Sequence, residues 1–215
     1  MNKLYVLNIN KLTNKAFFDT AYESLSDARR MRIDKMRADK MRTDKAKEGQ
    51  LFRSLAAGYL LNLGLKEIGI NSVTEPFSAY ANGKPCLPAH PEIHFNISHS
   101  FDYAICAFSD NNTGADIEKI RCVPENVVKK ALCDTEYNEC VDDAGNLISE
   151  NFFKFWTRNE SYLKMTGKGI AVDLKKVPEL ILSENPVPDF HVFNEIPGYI
   201  ITICTCGIRP TLTEI

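Results

Sequence analysis

The sequence predicts a mixed fold of helices and strands, built as one large domain or as two small, tightly packed ones. Three observations carry this. At 215 residues and 44% hydrophobic content, the chain is long enough for a sizeable core. A strand–turn–strand pattern from Ile93 to Ile117 reads as a hairpin that delivers Ala115 to Ile117 into a sheet. No low-complexity linker interrupts the chain, so its two halves are expected to pack as one body.

Taken in order, Leu4 to Ile9 reads as a strand. Thr13 to Ser26 reads as a helix with Phe17, Phe18, Tyr22 and Leu25 as its apolar positions. A charged repeat follows: Met31-Arg-Ile-Asp-Lys35, Met36-Arg-Ala-Asp-Lys40, Met41-Arg-Thr-Asp-Lys45. A period of five turns a helix by about 500° per unit, so the methionines spiral round it rather than form one stripe. The repeat reads as a solvated helix or a small duplication, or else as a cationic rim for a phosphate. From Ser26 to Arg53 there are ten lysines and arginines against five acidic residues.

Leu51 to Leu65 reads as a buried helix with Arg53 at its entrance. Glu75 to Tyr80 reads as a short strand, and Asn82-Gly83-Lys84-Pro85 is a turn signal. Ile93 to Ser100 begins as a strand and ends in small polar residues, with His99 where it opens into a loop. His94 falls out of register with Ile93, Phe95 and Ile97 and reads as structural. Tyr103 to Phe108 is a second strand. Pro124 to Leu132 and Thr135 to Val141 read as short helices. The loop from Asp142 to Asn146 lacks the acidic spacing of a calcium-binding EF-hand. Ser149 is expected to cap a strong helix from Glu150 to Lys164, with Phe152, Phe153, Phe155, Trp156 and Leu163 as its apolar face. Leu180 to Ser183, Phe190 to Phe193 and Tyr199 to Cys206 read as three strands of a meander.

Composition narrows the function. The net charge of −2 gives no global case for nucleic-acid binding. No apolar run approaches the length of a membrane span, and Met1 to Asn10 lacks the long apolar stretch of a signal peptide. Seven scattered cysteines read as free thiols in a reducing cytoplasm.

The chemistry centres on two stretches. Asp116 and Glu118 are two apart on a predicted strand, so they share a side, and paired carboxylates repel unless a cation sits between them. Glu160 and Lys164 are four apart on a predicted helix and share a face. Asp116, Glu118 and Glu160 together suit Mg²⁺ or Mn²⁺ better than zinc, because the donors are hard oxygens with no cysteine or paired-histidine set. Lys164 and other cations then suit a phosphate-bearing substrate. The residues alone reach as far as metal-assisted phosphoryl or phosphodiester chemistry.

Four motifs occur in a fixed order and spacing: Gly83-Lys84-Pro85, His94 to Ser100, Gly114 to Glu118, and Phe153-x-x-Trp156-Thr157-x-x-Glu160-Ser161-Tyr162-x-Lys164-x-x-Gly167-x-Gly169. In this the chain resembles the 4′-phosphopantetheinyl transferases of the surfactin-synthetase-activating type. The resemblance implies an α+β pseudo-dimer with its active site in the cleft between two similar halves. The halves are expected at 1–105, with coenzyme A-binding loops, and 106–215, with the metal-binding carboxylates. It implies transfer of the phosphopantetheine arm of coenzyme A to a serine of an apo acyl or peptidyl carrier protein, leaving adenosine 3′,5′-bisphosphate. Asp116, Glu118 and Glu160 match the metal carboxylates, and Glu160 also matches the base. Lys164 and His99 match phosphate contacts. Lys84, Pro85, Ser98, Arg53 and Ser54 match coenzyme-binding positions. A cytoplasmic monomer with no nucleic-acid or membrane partner is the expectation.

Two departures from the family pattern stand out. The family usually has lysine immediately before the third carboxylate, whereas this chain has Asn159 preceded by Arg158. The segment before Arg53 is lengthened by the repeat, so the basic residues for the coenzyme 3′-phosphate, Arg29, Arg30 or Arg32, have no fixed register. Two other readings use the same residues: a Mg²⁺-dependent hydrolase of coenzyme A or a nucleotide, and a degenerate protein that binds coenzyme A or a carrier without turnover.

Overall fold

The computed structural model describes residues 1–38, 45–71, 77–80, 83–169 and 172–215. Its elements run β1 (Lys3–Asn8), α1 (Lys15–Glu23), α2 (Asp27–Ala38), α3 (Lys45–Glu67), β2 (Ser78–Ala79), β3 (Pro85–Cys86), β4 (His94–Ser100), β5 (Tyr103–Ser109) and β6 (Thr113–Lys119). They continue with α4 (Glu125–Ala131), α5 (Asp134–Glu139), α6 (Ser149–Thr166), α7 (Val177–Ser183), β7 (Asp189–Phe193), β8 (Tyr199–Thr205) and β9 (Thr211–Glu214).

β1 is apolar at successive positions because both of its faces are covered. Tyr5 and Leu7 join Leu51, Leu55, Leu60 and Leu61 of α3 in one core. Leu4 and Val6 point the other way, into a second core with Ala115, Ile117, Ile201 and Ile203. The layers are therefore helix, sheet, sheet, helix. The first sheet has the order β4-β5-β1-β9 and the second β6-β8-β7, and β2 and β3 form a small pair. Neighbours are antiparallel except β1 and β9, which are parallel. The outer helix on the second sheet is α6, with Tyr162, Leu163 and Met165 meeting Cys204, and Phe152 and Phe153 meeting Ile200. This is the α+β class the sequence predicts. The expected division at residue 105 runs through β5, and β9, from the far end of the chain, pairs with β1.

Several elements differ from the sequence reading. Leu180 to Ser183 is not a strand; it is the end of α7. The apolar run was too short for periodicity to separate strand from helix. Pro178 starts the helix, and Val177 and Ile181, four apart, bury one face beside α6. β9 was not foreseen. Ser149 lies inside α6, and its N-cap is Ile148, which makes no side-chain cap hydrogen bond. The helix expected over Thr13 to Ser26 is α1, which ends at Glu23 with Ser24 as its C-cap, and α2 starts separately at Asp27. The first repeat unit and the start of the second, Met36 to Ala38, lie in α2, with Met31 exposed, Ile33 buried and Met36 packed on the first core. Residues 39–44 of the repeat, residues 72–76 near the expected strand and Asn82 of the turn lie outside the described residues.

Candidate active site

β4 and β6 are edge strands of different sheets. Side chains, not a backbone ladder, join them. Asn96 Oδ1 accepts from the Ala115 backbone N–H at 3.0 Å. Ser98 Oγ donates to Asp116 Oδ1 at 2.9 Å, and Ser100 Oγ donates to Glu118 Oε2 at 2.8 Å. These three β4 residues are two apart and share a side, which is what a period of two requires. The alternation Asn-x-Ser-x-Ser was visible in the sequence and was the one available signal for this polar seam.

α6 lies directly on β6 because Gly114 has no side chain. A Cβ there would sit 2.0 Å from the Ser161 carbonyl oxygen and 2.4 Å from the Met165 backbone nitrogen. This close approach brings Lys164 to Asp116. Lys164 Nζ donates to Asp116 Oδ1 at 2.6 Å and to Ser98 Oγ at 2.9 Å. Glu118 Oε2 also accepts from Arg121 Nη1 at 3.2 Å, and Arg121 packs against the rings of Phe101 and Phe153. Arg121 had not been singled out from the sequence.

Burial pushes the Asp116 carboxyl up; Lys164 and Ser98 oppose that shift. Burial also raises Glu160, and the neighbouring Asp116 and Glu118 charges add to the rise against Lys164. Asp116 Oδ2 is buried without a hydrogen-bond partner. The His99 imidazole is held below its ordinary range by desolvation, with Arg53 and Lys164 acting the same way.

Two cavities meet at these carboxylates. One, of about 610 Å³, is lined by Arg29, Arg32, Arg53, His99 and Lys164, with Ser54 and Ser98 in its wall and Asp116 and Glu118 at its boundary. The other, of about 630 Å³, is lined by Val127, Ala131, Trp156, Leu174 and Lys130, with Asp116, Glu118 and Glu160. The first is cationic and the second mainly apolar.

The structure thus brings together Asp116, Glu118, Glu160, Lys164, Ser98, His99, Arg53 and Ser54. Lys84 and Pro85 line neither cavity. Lys84 Nζ instead donates to Asn112 Oδ1 at 2.6 Å, to the Thr113 carbonyl at 2.9 Å and to the Met165 carbonyl at 3.1 Å. It ties the β2–β3 turn to β6 and to the end of α6, and burial lowers its pKa to about 8. Of the three candidate arginines, Arg29 and Arg32 reach the cationic cavity, while Arg30 pairs with Asp27. Arg53 Nη1 also donates at 3.2 Å to the carbonyl of Phe101, a residue at φ 47°, a conformation uncommon for a bulky side chain.

Among the described residues, no three histidine, cysteine or acidic side chains form a ready metal-holding cluster. The carboxylates nonetheless suit a hard cation. They supply only oxygen donors, Asp116 Oδ2 is orphaned, and Glu160 is raised by burial and then by the Asp116 and Glu118 charges.

Residues 112–204 match the profile of the 4′-phosphopantetheinyl transferase superfamily. The chain is 33% identical over 138 residues to 4′-phosphopantetheinyl transferase Sfp of Bacillus subtilis strain 168, covering 60% of this chain and 62% of that protein. It is 31% identical over 155 residues to the Bacillus subtilis 4′-phosphopantetheinyl transferase ffp, covering 67% and 68%. It is 31% identical over 142 residues to 4′-phosphopantetheinyl transferase HetI of a Nostoc species, covering 63% and 55%. The match therefore spans roughly three fifths of these relatives' lengths.

Proposed function

Since the chain belongs to the 4′-phosphopantetheinyl transferase superfamily, we propose that it moves the phosphopantetheine arm of coenzyme A onto a serine of an apo acyl or peptidyl carrier protein. The observation that carries this reading is the meeting of a cationic cavity and an apolar one at Asp116 and Glu118. A donor with a pyrophosphate and a 3′-phosphate needs the first.

In this reading Arg29, Arg32, Arg53 and His99 hold the phosphates of coenzyme A in the cationic cavity. Glu160, at the edge of the carboxylate set and in the wall of the apolar cavity, accepts the proton of the incoming serine. The serine oxygen forms a bond to the β-phosphorus, and the bond from that phosphorus to the bridging oxygen breaks. The electron pair leaves with adenosine 3′,5′-bisphosphate. Lys164 donates to the phosphate oxygens as charge grows there. When bound by Asp116, Glu118 and Glu160, Mg²⁺ or Mn²⁺ supplies charge neutralisation at the pyrophosphate. The nucleophile comes from the partner, which accounts for a site with no activated serine of its own.

A cytoplasmic monomer acting without a membrane or nucleic acid completes the proposal. The net charge of −2 gives no global case for a nucleic-acid partner. The test is product analysis. Adenosine 3′,5′-bisphosphate and holo-carrier should form in equal amounts, and only when carrier is present. Free phosphopantetheine released without carrier would mark a hydrolase and overturn the reading.

A further inference from the structure

Glu136 on α5 is a carboxylate that the proposed chemistry does not use, and only 3% of it is exposed. Its Oε2 accepts from the Cys133 backbone N–H at 3.1 Å. Its Oε1 accepts from Arg158 Nη2 in a close ion pair, and from Asn159 Nδ2 at 3.2 Å. Asn159 Oδ1 in turn accepts from Arg158 Nε and Nη2, both at 3.3 Å. The three side chains close a ring holding one negative and one positive charge. Buried charge persists where it is paired and its remaining hydrogen bonds are made, and this ring meets both conditions.

The ring fixes α6 between two other anchors. Thr157 Oγ1 meets Thr202 Oγ1 of β8 at 2.7 Å, and the Ser161 carbonyl abuts Gly114. Glu160 lies between these anchors and lines the cavity shared with Asp116 and Glu118. Successive helical residues are about 100° apart, so a rotation of α6 that frees Asn159 from Glu136 also turns Glu160 away from the other carboxylates.

We propose that Glu136 is a positioning residue for Glu160, acting through Arg158 and Asn159. The inference rests on the reading of Asp116, Glu118 and Glu160 as a cation-binding set. It also gives Asn159 a role: the amide completes a ring whose single cation is already supplied by Arg158. A lysine at 159 would set a second cation against one buried carboxylate. The departure from the family pattern is then a matched pair of residues, not a defect to be reverted.

The test uses the full chain as wild type, Glu136→Gln, Asn159→Lys and the double variant Arg158→Gln/Asn159→Lys. With Mn²⁺ alone as the probe, electron paramagnetic resonance should show affinity weakened about tenfold in Glu136→Gln, with far-ultraviolet circular dichroism unchanged. In carrier modification, kcat should fall by about tenfold while the KM for coenzyme A stays within about threefold. Asn159→Lys should lower the thermal midpoint, and the double variant, again with one cation per carboxylate, should recover most of that loss.

Wild-type Mn²⁺ affinity and kcat in Glu136→Gln would overturn the positioning role even if its midpoint dropped. An Asn159→Lys midpoint at or above wild type would overturn the charge balance. If Glu136→Gln does not fold, Glu136→Asp replaces it, with a smaller loss expected and wild-type values again overturning the role. A wild type that binds Mn²⁺ but modifies no carrier defeats the transferase reading, and the affinity comparison still decides this one. A wild type that binds no Mn²⁺ overturns the inference.

Discussion

Helices α3 and α6 each cover the outer face of a large sheet, and they do so with different side chains. α3 buries Leu51, Leu55, Leu60, Leu61 and Leu65, and its one buried polar side chain, Asn62, donates to the Ser24 carbonyl. α6 buries Thr157, Asn159 and Ser161 among its aromatics, and each makes a specific hydrogen bond. Ser161 bonds within the helix, but Thr157 and Asn159 reach β8 and α5, and because an unsatisfied buried polar group costs about 1–3 kcal/mol, these two make the position of α6 sensitive to small shifts. The comparison separates two jobs. α3 holds the fold and brings Arg53 to the rim of the cationic cavity, whereas α6 aims Glu160 and Lys164 at β6.

The comparison can be broken or sharpened by substitution. The largest effect is expected at the carboxylates. Glu118→Ala should lower carrier modification by on the order of 10²–10³-fold at an unchanged circular dichroism spectrum, the scale of losing one preorganised electrostatic group. Full activity in that variant would remove Glu118 from the site. Leu60→Ala in α3 should do the reverse. Chemical denaturation should show a loss of about 2–5 kcal/mol from the cavity left behind, with kcat per folded molecule unchanged.

Next come two glycines at the helix–sheet contacts, Gly114 on β6 beneath α6 and Gly64 within α3. Gly114→Ala should cost about 3 kcal/mol and reduce activity, because the new methyl meets backbone atoms of α6 that cannot move independently. Gly64→Ala should cost about 2 kcal/mol, because its Cβ would sit 2.1 Å from the buried Phe108 ring, while alanine's better helix propensity offsets about 1 kcal/mol of the clash. Equal losses in the two variants would mean that α6 is not more tightly seated than α3.

The smallest effect concerns pH. Burial raises the folded Glu160 carboxyl above its unfolded value. Its contribution to stability is therefore fully present below the ordinary glutamate pKa and is lost as pH rises through the raised value. In metal-free buffer Glu160→Gln should be the more stable protein at about pH 7, and the advantage should disappear by about pH 4. A wild type more stable than Glu160→Gln at neutral pH would contradict the burial of Glu160 beside Asp116 and Glu118.

Much of this was legible in the residues. Asp116 and Glu118 could be placed on one side of a strand by their spacing, and Glu160 and Lys164 on one face of a helix by theirs. The long helices and the central strands followed from apolar runs. What escaped was set by contacts distant in sequence. Thr211 to Glu214 is a strand only because β1 offers a free edge, and Leu180 to Ser183 is helical because Val177 and Ile181 pack beside α6. The motif assigned Lys84 to the coenzyme, but it could not show that its ammonium also donates to Asn112 and to the Thr113 and Met165 carbonyls. Arg121 joins the site through Glu118, three residues before it, and is held there by the rings of Phe101 and Phe153, neighbours that no local pattern could have announced.

The most direct measurement is the intact mass of an apo carrier protein incubated with this protein, coenzyme A and Mg²⁺, beside a sample containing EDTA. The account predicts a carrier heavier by one phosphopantetheine group, and no gain with EDTA. A carrier of unchanged mass across acyl and peptidyl types, with coenzyme A still bound by the protein, would contradict it.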